Sequence, residues 1–237
     1  MNAIVLVHGA WGGAWIWRDV LPALRAAGHA VHAVTLTGDG ERAHLRHAGI
    51  MLRTHIADVV GLVEAEELAD VALVGHSYGG QVITGAADAL AGCIRQLVYV
   101  DAMVPLPGEG WGSGHGPDIV AAREAAAAAN DNALPPPDPA DFGLAGAARD
   151  WLLRRQVPHP FGPYREPLAF DGDRWRALPR AFIDCNRPAY PTIDGSRRRV
   201  REQGDWTIVE LPTGHCPMVS MPDEFARVLL RLVSRSA

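Results

Sequence analysis

Cysteine is scarce in this chain, since only three occur among its 237 residues. Cys93, Cys185 and Cys216 are too few and too scattered for a disulfide framework, and no pair has the spacing of metal ligands. The ten histidines form no HExxH or other metal-binding motif. We therefore predict no structural or catalytic metal, and a reducing cytoplasm is the compartment that fits this cysteine content.

Long apolar runs and basic clusters are also missing. No stretch approaches the roughly 18 apolar residues of a membrane span, and the start, MNAIVLVHGAWGG, has neither a basic segment nor a cleavage-site pattern. The formal net charge is −5, and the arginines are scattered apart from the run at 197–199, which we interpret as a solvated helix face. We expect neither a membrane nor a nucleic acid as partner, and the sequence leaves open whether the chain forms a homodimer.

A regular alternation of strand and helix patterns is the main feature that is present, in a chain that is 48% hydrophobic. Strands are predicted over residues 4–7, 30–36, 71–74 and 97–100, and helices over residues 15–27, 52–68 and 81–90. Two more strands are predicted at 181–185 and 207–211, and a closing helix at 223–235. This order predicts an α/β fold with a mainly parallel sheet of about six strands and flanking helices.

Residues 104–180 interrupt the alternation. They hold most of the prolines, including those at 135–137, beside an alanine-rich segment at 119–129. A long insertion inside an α/β fold usually covers the active site, so we predict a core of residues 1–103 and 181–237 and a helical cap of residues 104–180. The alternative is a disordered linker, against which the aromatic residues of the segment argue.

The motif Gly-x-Ser-x-Gly occurs in VGHSYGG, residues 74–80. A predicted strand leads directly into it and a predicted helix follows, which is the strand–turn–helix setting of a nucleophile elbow. Small residues at 75, 79 and 80 permit the tight turn. We predict that Ser77 is a nucleophile, the alternative being a serine in a plain glycine turn.

A serine hydroxyl needs a general base and an oxyanion hole to react at neutral pH. After the last predicted strand, ELPTGHCPMVSMP supplies His215 as the base. The loop HGAW, residues 8–11, follows the first strand, and we assign the two backbone donors of the oxyanion hole to Ala10 and Tyr78. These groups predict hydrolysis through an acyl-enzyme, for which no cofactor is needed.

An acid that orients the base is less evident. The loop after the strand at 181–185 reads CNRPAYPTIDG and holds no acidic residue before Asp194. Asp101 ends the preceding strand in LVYVDAMVP, from where a carboxylate can approach His215 in a parallel sheet. We assign the acid to Asp101, with Asp184 as the alternative, and a capping or loop-stabilising role for Asp101 remains open.

With these residues placed, the chain resembles the α/β-hydrolase superfamily. Within it, the chain looks like the branch of pyrethroid-hydrolysing carboxylesterases, plant methylesterases and hydroxynitrile lyases. The matching segments are LVHGAWGGAWIW, TLTGDGERAHL, THIADVVGLVE, VALVGHSYGGQVITG, LVYVDAMVP and LPTGHCPMVSMP, in that order and over nearly the whole chain. The resemblance implies the α/β-hydrolase fold with a helical cap, Ser77 and His215 as nucleophile and base, and Ala10 and Tyr78 as oxyanion donors.

Two features depart from that branch. Where the plant members carry an aspartate after the penultimate strand, this chain has NRP at residues 186–188, so Asp101 is assigned by position and not by motif. The lyases use a lysine directly after the catalytic histidine, whereas this chain has Cys216 there and contains no lysine. Trp11 stands where the lyases have small or hydroxyl residues. Cyanohydrin cleavage is therefore not expected.

The expected substrate is a small-molecule ester with a hydrophobic or aromatic part. Trp11, Tyr78, Trp111 and Trp151 are the aromatic residues expected to shape an apolar pocket, although each could instead be part of the core. One alternative is an enzyme of specialised metabolism on the same fold, which hydrolyses a carbon–carbon bond or cyclises a polyketide-like substrate. A second alternative is a non-catalytic module that binds a small ligand.

Overall fold

A computed structural model describes residues 3–234. Six parallel strands form one sheet, and two short antiparallel strands form a second sheet. In chain order the strands are β1 (Ala3–Val7), β2 (Ala30–Val34), β3 (Val71–His76), β4 (Ile94–Val100), β5 (Ala133–Leu134), β6 (His159–Pro160), β7 (Arg180–Cys185) and β8 (Thr207–Leu211). The large sheet has the order β2-β1-β3-β4-β7-β8, which confirms the predicted mainly parallel sheet of six strands.

Helices connect the strands as the alternation predicts. The α-helices are α1 (Leu21–Ala26), α2 (Leu52–Ala65), α3 (Gly79–Ala89), α4 (Pro117–Ala128), α5 (Gly146–Leu153), α6 (Gly162–Arg165), α7 (Gly172–Ala177), α8 (Asp194–Gln203), α9 (Pro217–Ser220) and α10 (Pro222–Val233). Short 3₁₀ segments lie at Ala14–Trp17, Gly40–Leu45, Trp111–Gly114, Pro139–Phe142 and Pro191–Ile193.

Two predicted helices differ from the structure or extend beyond its described residues. The helix predicted over 15–27 is a 3₁₀ turn followed by α1, because Pro22 lacks the N–H that a continuous helix would need there and instead occupies a helix start. The predicted end of the last helix, Arg235, lies outside the described residues, and α10 ends at Val233.

The middle of the large sheet forms the core. Every residue of β1 and β3 is buried, and successive side chains of a strand point to opposite faces, so both faces of the sheet are covered. Because the strands are parallel, the loops after β3, β4, β7 and β8 leave the same edge of the sheet. This is the edge at which ligands bind in open α/β sheets.

The segment 104–180 contains four α-helices, two 3₁₀ segments and the β5–β6 pair. In that pair Leu134 lies opposite His159. Two hydrogen bonds connect this region to the loop after β1: the indole N–H of Trp11 donates to the carbonyl of Leu134 at 3.0 Å, and the N–H of Val157 donates to the carbonyl of Trp11 at 3.1 Å. The division of the chain into a core and a cap stays a prediction.

None of the helices within residues 3–234 is both long and apolar enough to cross a membrane.

Candidate active site

Ser77 occupies the sharp turn between β3 and α3. Its φ of +53° lies in the left-handed region, which residues other than glycine rarely adopt. The turn closes only because its neighbours are small: a Cβ on Gly75 would lie 2.6 Å from the carbonyl oxygen of Gly79, and one on Gly80 would collide with the carbonyl oxygen of Met103. This geometry presents the serine hydroxyl at the edge where the sheet loops converge.

Ser77, His215 and Asp101 form a continuous chain of hydrogen bonds. The hydroxyl of Ser77 lies 2.9 Å from Nε2 of His215, and Nδ1 of the same ring lies 2.7 Å from Oδ2 of Asp101. His215 is 2% exposed and Asp101 is 0% exposed, so water does not compete for the contact between them. Nε2 can therefore accept the serine proton while the carboxylate holds the Nδ1–H.

Asp101 is positioned by the end of β4. Its backbone N–H donates to the carbonyl of Ile183 in β7 at 2.8 Å, and its φ of +42° turns the chain out of the strand. His215 follows β8, the strand beyond β7 in the sheet. Asp101 therefore reaches His215 across the loop of the intervening strand, as the sequence-based assignment requires.

Asp184, the alternative acid, faces two arginines and not the imidazole. Its Oδ1 accepts a hydrogen bond from Nε of Arg197 at 2.7 Å, and its Oδ2 accepts one from Arg201 at 2.5 Å. The interpretation of residues 197–199 as a solvated helix face is wrong for Arg197, whose side chain is 8% exposed and also contacts Asp101 at 2.5 Å. Residues 197–199 lie on α8, and the guanidinium of Arg197 points inward to the buried carboxylates of Asp101 and Asp184.

Two backbone N–H groups beside Ser77 are free to bind a ligand. Those of Ala10 and Tyr78 donate to no acceptor among residues 3–234. Tyr78 follows the serine directly, and Ala10 belongs to the loop after β1. Gly9 allows this loop to come close, since a Cβ there would lie 2.8 Å from the Cβ of Ser77.

A first cleft opens at Ser77 on the side of the loop after β1. His215 lines this cleft, together with Ile16, Leu152 and Gln156. Oε1 of Gln156 is buried and has no hydrogen-bond partner within the described chain. The cleft is therefore mainly apolar, with one unsatisfied acceptor.

A second cleft opens at Ser77 on the other side, and His215 is not among its lining residues. Its walls are largely aromatic, with Arg123 as the single cation; the aromatic lining residues are Trp11, Tyr78, Trp111, Tyr164 and Tyr190. Such a surface suits a flat, apolar group.

The three tryptophans predicted to line the pocket have different positions. Trp11 lines both clefts, and Trp111 lines the second. Trp151 lines neither: its ring packs edge-on against Trp15 at a centroid distance of 5.2 Å, with the guanidinium of Arg18 4.6 Å from its centroid. Its assignment to the pocket is corrected accordingly.

Sequence reasoning missed several residues that surround the base. The ring centroids of Tyr190 and Phe142 lie 4.4 and 5.3 Å from that of His215. The backbone N–H of His215 donates to the backbone carbonyl of Phe142 at 3.0 Å. His76 donates from Nε2 to the His215 carbonyl at 2.9 Å. Only His76, within the serine motif itself, carried a signal in the sequence.

Buried histidines form a polar layer behind the site. Burial lowers the pKa of His8 and holds that of His76 well below its usual value, and it lowers the pKa of His55 to about 4 and that of His159 to about 3. His159 contacts the buried Asp39 at 2.8 Å, and burial raises the pKa of this carboxyl to about 7. The histidines are therefore neutral in the folded protein at neutral pH.

Acidification should destabilise the protein. Each of these histidines binds a proton more weakly in the folded than in the unfolded protein, so unfolding takes up protons as the pH falls below about 6.5, whereas the raised pKa of Asp39 makes it release one. Because four histidines oppose one carboxyl, the free energy of unfolding should fall as the pH is lowered from 6 to 5. Urea unfolding at several pH values measures this. His55→Gln, which cannot titrate, should reduce the slope by about 1.4 kcal/mol per unit. A stability that is constant or rises over this range would contradict the prediction.

No group of three or more histidine, cysteine, aspartate or glutamate side chains within the described residues is arranged to hold a metal ion. Cys93, Cys185 and Cys216 are all free thiols. Burial raises the pKa of Cys216 and holds that of Cys185 well above its usual value, so both remain protonated beside the site.

The chain is similar to several known proteins. The model of the alpha/beta hydrolase family matches residues 4–228. The chain is 42% identical to a carbendazim hydrolyzing esterase of Nocardioides sp. (strain SG-4G), over 98% of this chain and 100% of that protein. It is 27% identical to a pyrethroid hydrolase of Sphingobium wenxiniae, over 95% of this chain and 85% of that protein.

The fold has a close structural counterpart as well. An extracellular α/β-hydrolase from a Paenibacillus species has a TM-score of 0.87 and 21% identity, over 99% of this chain and 100% of that chain. The similarity to that structure concerns the fold alone. The family model spans nearly the whole chain and agrees with the order of the sheet and with the relative at 42% identity, so this chain belongs to the α/β hydrolase family.

Proposed function

We propose that the protein is a serine esterase that hydrolyses small-molecule esters through an acyl-enzyme. The observation that carries the proposal is the hydrogen-bonded series Ser77–His215–Asp101, with distances of 2.9 and 2.7 Å. The esterases among its relatives support the same reaction class.

The mechanism follows from the positions of the donors and acceptors. Nε2 of His215 takes the proton of Ser77 as the hydroxyl attacks the ester carbonyl, and Asp101 stabilises the imidazolium. The free N–H groups of Ala10 and Tyr78 bind the oxyanion of the tetrahedral intermediate. His215 then protonates the leaving alcohol, and in the second half of the cycle it activates the water that releases the acid.

The two clefts at Ser77 have separate roles in this proposal. The leaving oxygen must lie within hydrogen-bond reach of His215, and only the first cleft is lined by that residue. The first cleft therefore takes the alcohol, for which Gln156 offers a hydrogen-bond acceptor. The second cleft takes the acyl part, and its aromatic walls favour a hydrophobic or aromatic acid.

The setting of the enzyme remains a proposal too. The three free cysteines support a cytoplasmic location. A homodimer is possible for this chain, and sedimentation or light scattering would distinguish it from a monomer.

A fluorophosphonate probe tests the proposed chemistry. The native protein should react with the probe at Ser77 and should also hydrolyse a chromogenic short-chain ester, whereas Ser77→Ala and heat-denatured protein should not be labelled. An enzyme specialised in carbon–carbon bond cleavage or cyclisation would be labelled but would hydrolyse generic esters poorly. Absence of labelling, with tight binding of a small ligand, would indicate a non-catalytic binding module.

A further inference from the structure

We propose that Arg197 is a positioning residue for the proposed triad: it fixes the orientation in which Asp101 faces His215, and its charge sets the pH at which the base becomes active. This inference rests on the proposed function of Ser77, His215 and Asp101.

All the N–H donors of the Arg197 guanidinium form hydrogen bonds. An arginine has five N–H donors, and five acceptors surround this one. They are Asp184 Oδ1 (2.7 Å), the Tyr190 carbonyl (2.8 Å), Asp194 Oδ1 (2.8 Å), Asp101 Oδ1 (2.5 Å) and the Cys185 carbonyl (3.1 Å). A planar group with all five donors engaged cannot rotate without breaking several bonds at once. Arg197 is therefore a rigid support for whatever it contacts.

One of the five contacts of Arg197 holds the carboxylate of Asp101. One oxygen of this carboxylate accepts from Arg197 and the other faces Nδ1 of His215 at 2.7 Å. Rotation of the carboxylate would break both bonds, so the arginine determines which oxygen the imidazole meets. The support is needed because Asp101 lies at a strand end with a φ of +42°, where the backbone alone holds it by one N–H bond to Ile183.

The charge of Arg197 acts on the base through Asp101. Protonation of His215 places a positive charge beside the carboxylate, and the guanidinium already offsets part of the carboxylate's charge from the opposite side. The imidazolium is thus less stabilised than it would be by an unpaired aspartate. Without the arginine, the carboxylate would therefore attract the imidazolium more strongly than it does in the native protein.

Among residues 3–234, no other charged group in contact with the His215 ring or with its carboxylate provides this effect. The titratable side chains that surround the ring or its carboxylate are Asp101, His76, Cys185, Tyr190 and Cys216. Burial keeps His76 neutral and both thiols protonated, because it lowers the histidine pKa and raises the cysteine pKa values. The groups that face Arg197 itself are Asp101, Asp184 and Asp194.

The chain offers a matched control in Arg201. This arginine, like Arg197, lies on α8 and binds Asp184, but its second partner is the exposed Glu210 and it makes no bond to Asp101. Replacing either arginine removes one of the two positively charged partners of Asp184. Only the replacement of Arg197 removes the support of Asp101.

The test measures the pH dependence of kcat and kcat/KM for a chromogenic ester. In Arg197→Met combined with Asp184→Asn, which removes one buried charge of each sign, the ascending limb of kcat/KM should move to higher pH by about one unit. Its kcat at neutral pH should fall by about ten-fold with little change in KM. Arg197→Lys keeps the charge, so its limb should stay at the native position although its melting temperature falls. Arg201→Met should leave the limb in place.

Two results would overturn the inference. One is a double variant whose pH profile superimposes on that of the native enzyme, and the other is an Arg201→Met profile displaced as far as that of the double variant. In both cases the native enzyme still hydrolyses the ester, so only the role of Arg197 is rejected. A native protein that neither hydrolyses esters nor reacts with a fluorophosphonate would instead reject the proposed function.

Discussion

Replacing Ser77 with alanine should lower kcat/KM for a chromogenic short-chain ester by about 10⁴-fold or more. The hydroxyl is the only nucleophile placed 2.9 Å from Nε2 of His215 in the described chain, and the remaining oxyanion donors and clefts provide only the residual catalysis that persists without a nucleophile. Steady-state kinetics over a range of enzyme concentrations measure the loss.

The serine substitution should not disturb the fold. Alanine and serine tolerate the φ of +53° at this turn about equally, so the melting temperature should change little. Ser113→Ala is the matched control, since this exposed serine lies far along the chain in the predicted cap and bonds only to the backbone of Gly110. Native-like turnover in the Ser77 variant would reject the nucleophile assignment.

The second large effect is expected at Asp101. In Asp101→Asn, the amide oxygen should turn toward the donor of Arg197, so that the amide NH₂ faces Nδ1 of His215. Nδ1 must then accept, the ring proton moves to Nε2, and Nε2 can no longer take the proton of Ser77. A tautomer error of this kind costs about 10⁴-fold in kcat in serine proteases, and we expect a loss of about 10³- to 10⁴-fold.

Asp184→Asn is the control for Asp101→Asn, because Asp184 is the alternative candidate for the acid. Asp184 binds Arg197 and Arg201 and does not touch the imidazole, so its replacement should lower the melting temperature while kcat/KM stays within about ten-fold of native. The assignment of the acid is wrong if Asp184→Asn abolishes activity and Asp101→Asn remains within a few-fold of the native enzyme.

The alternation of elements and the positions of Ser77 and His215 could be predicted because local signals determine them. A buried strand, a glycine turn and a helix follow one another within a few residues around Ser77, and His215 lies in the loop after the last strand. Asp101 could be proposed from the sheet alone, because β4 and β7 are neighbours in parallel register. No motif was needed for that step.

Arg197 and Trp151 show where sequence reasoning stops. An arginine in a run of three has the pattern of an exposed helix face, and its burial depends on which carboxylates the packing of α8 against β7 brings near it. Trp151 belongs to a segment with little periodicity, so nothing in the sequence distinguished packing on Trp15 from lining the pocket. Both outcomes depend on contacts between residues that are distant in the chain.

The two hydrogen bonds that join Trp11 to Leu134 and Val157 tie the 133–157 region to the loop that carries the proposed oxyanion donor. Trp11 directly follows Ala10, and the N–H of Ala10 is the proposed oxyanion donor. The φ of Trp11 is +64°, a left-handed conformation that leaves this loop little freedom to adjust. Any movement that lifts the 133–157 region away from the sheet must either break both bonds or drag the donor with it. While the two bonds persist, such a movement would displace the Ala10 N–H from Ser77, so the position of the oxyanion donor depends on the packing of the 133–157 region against the loop after β1.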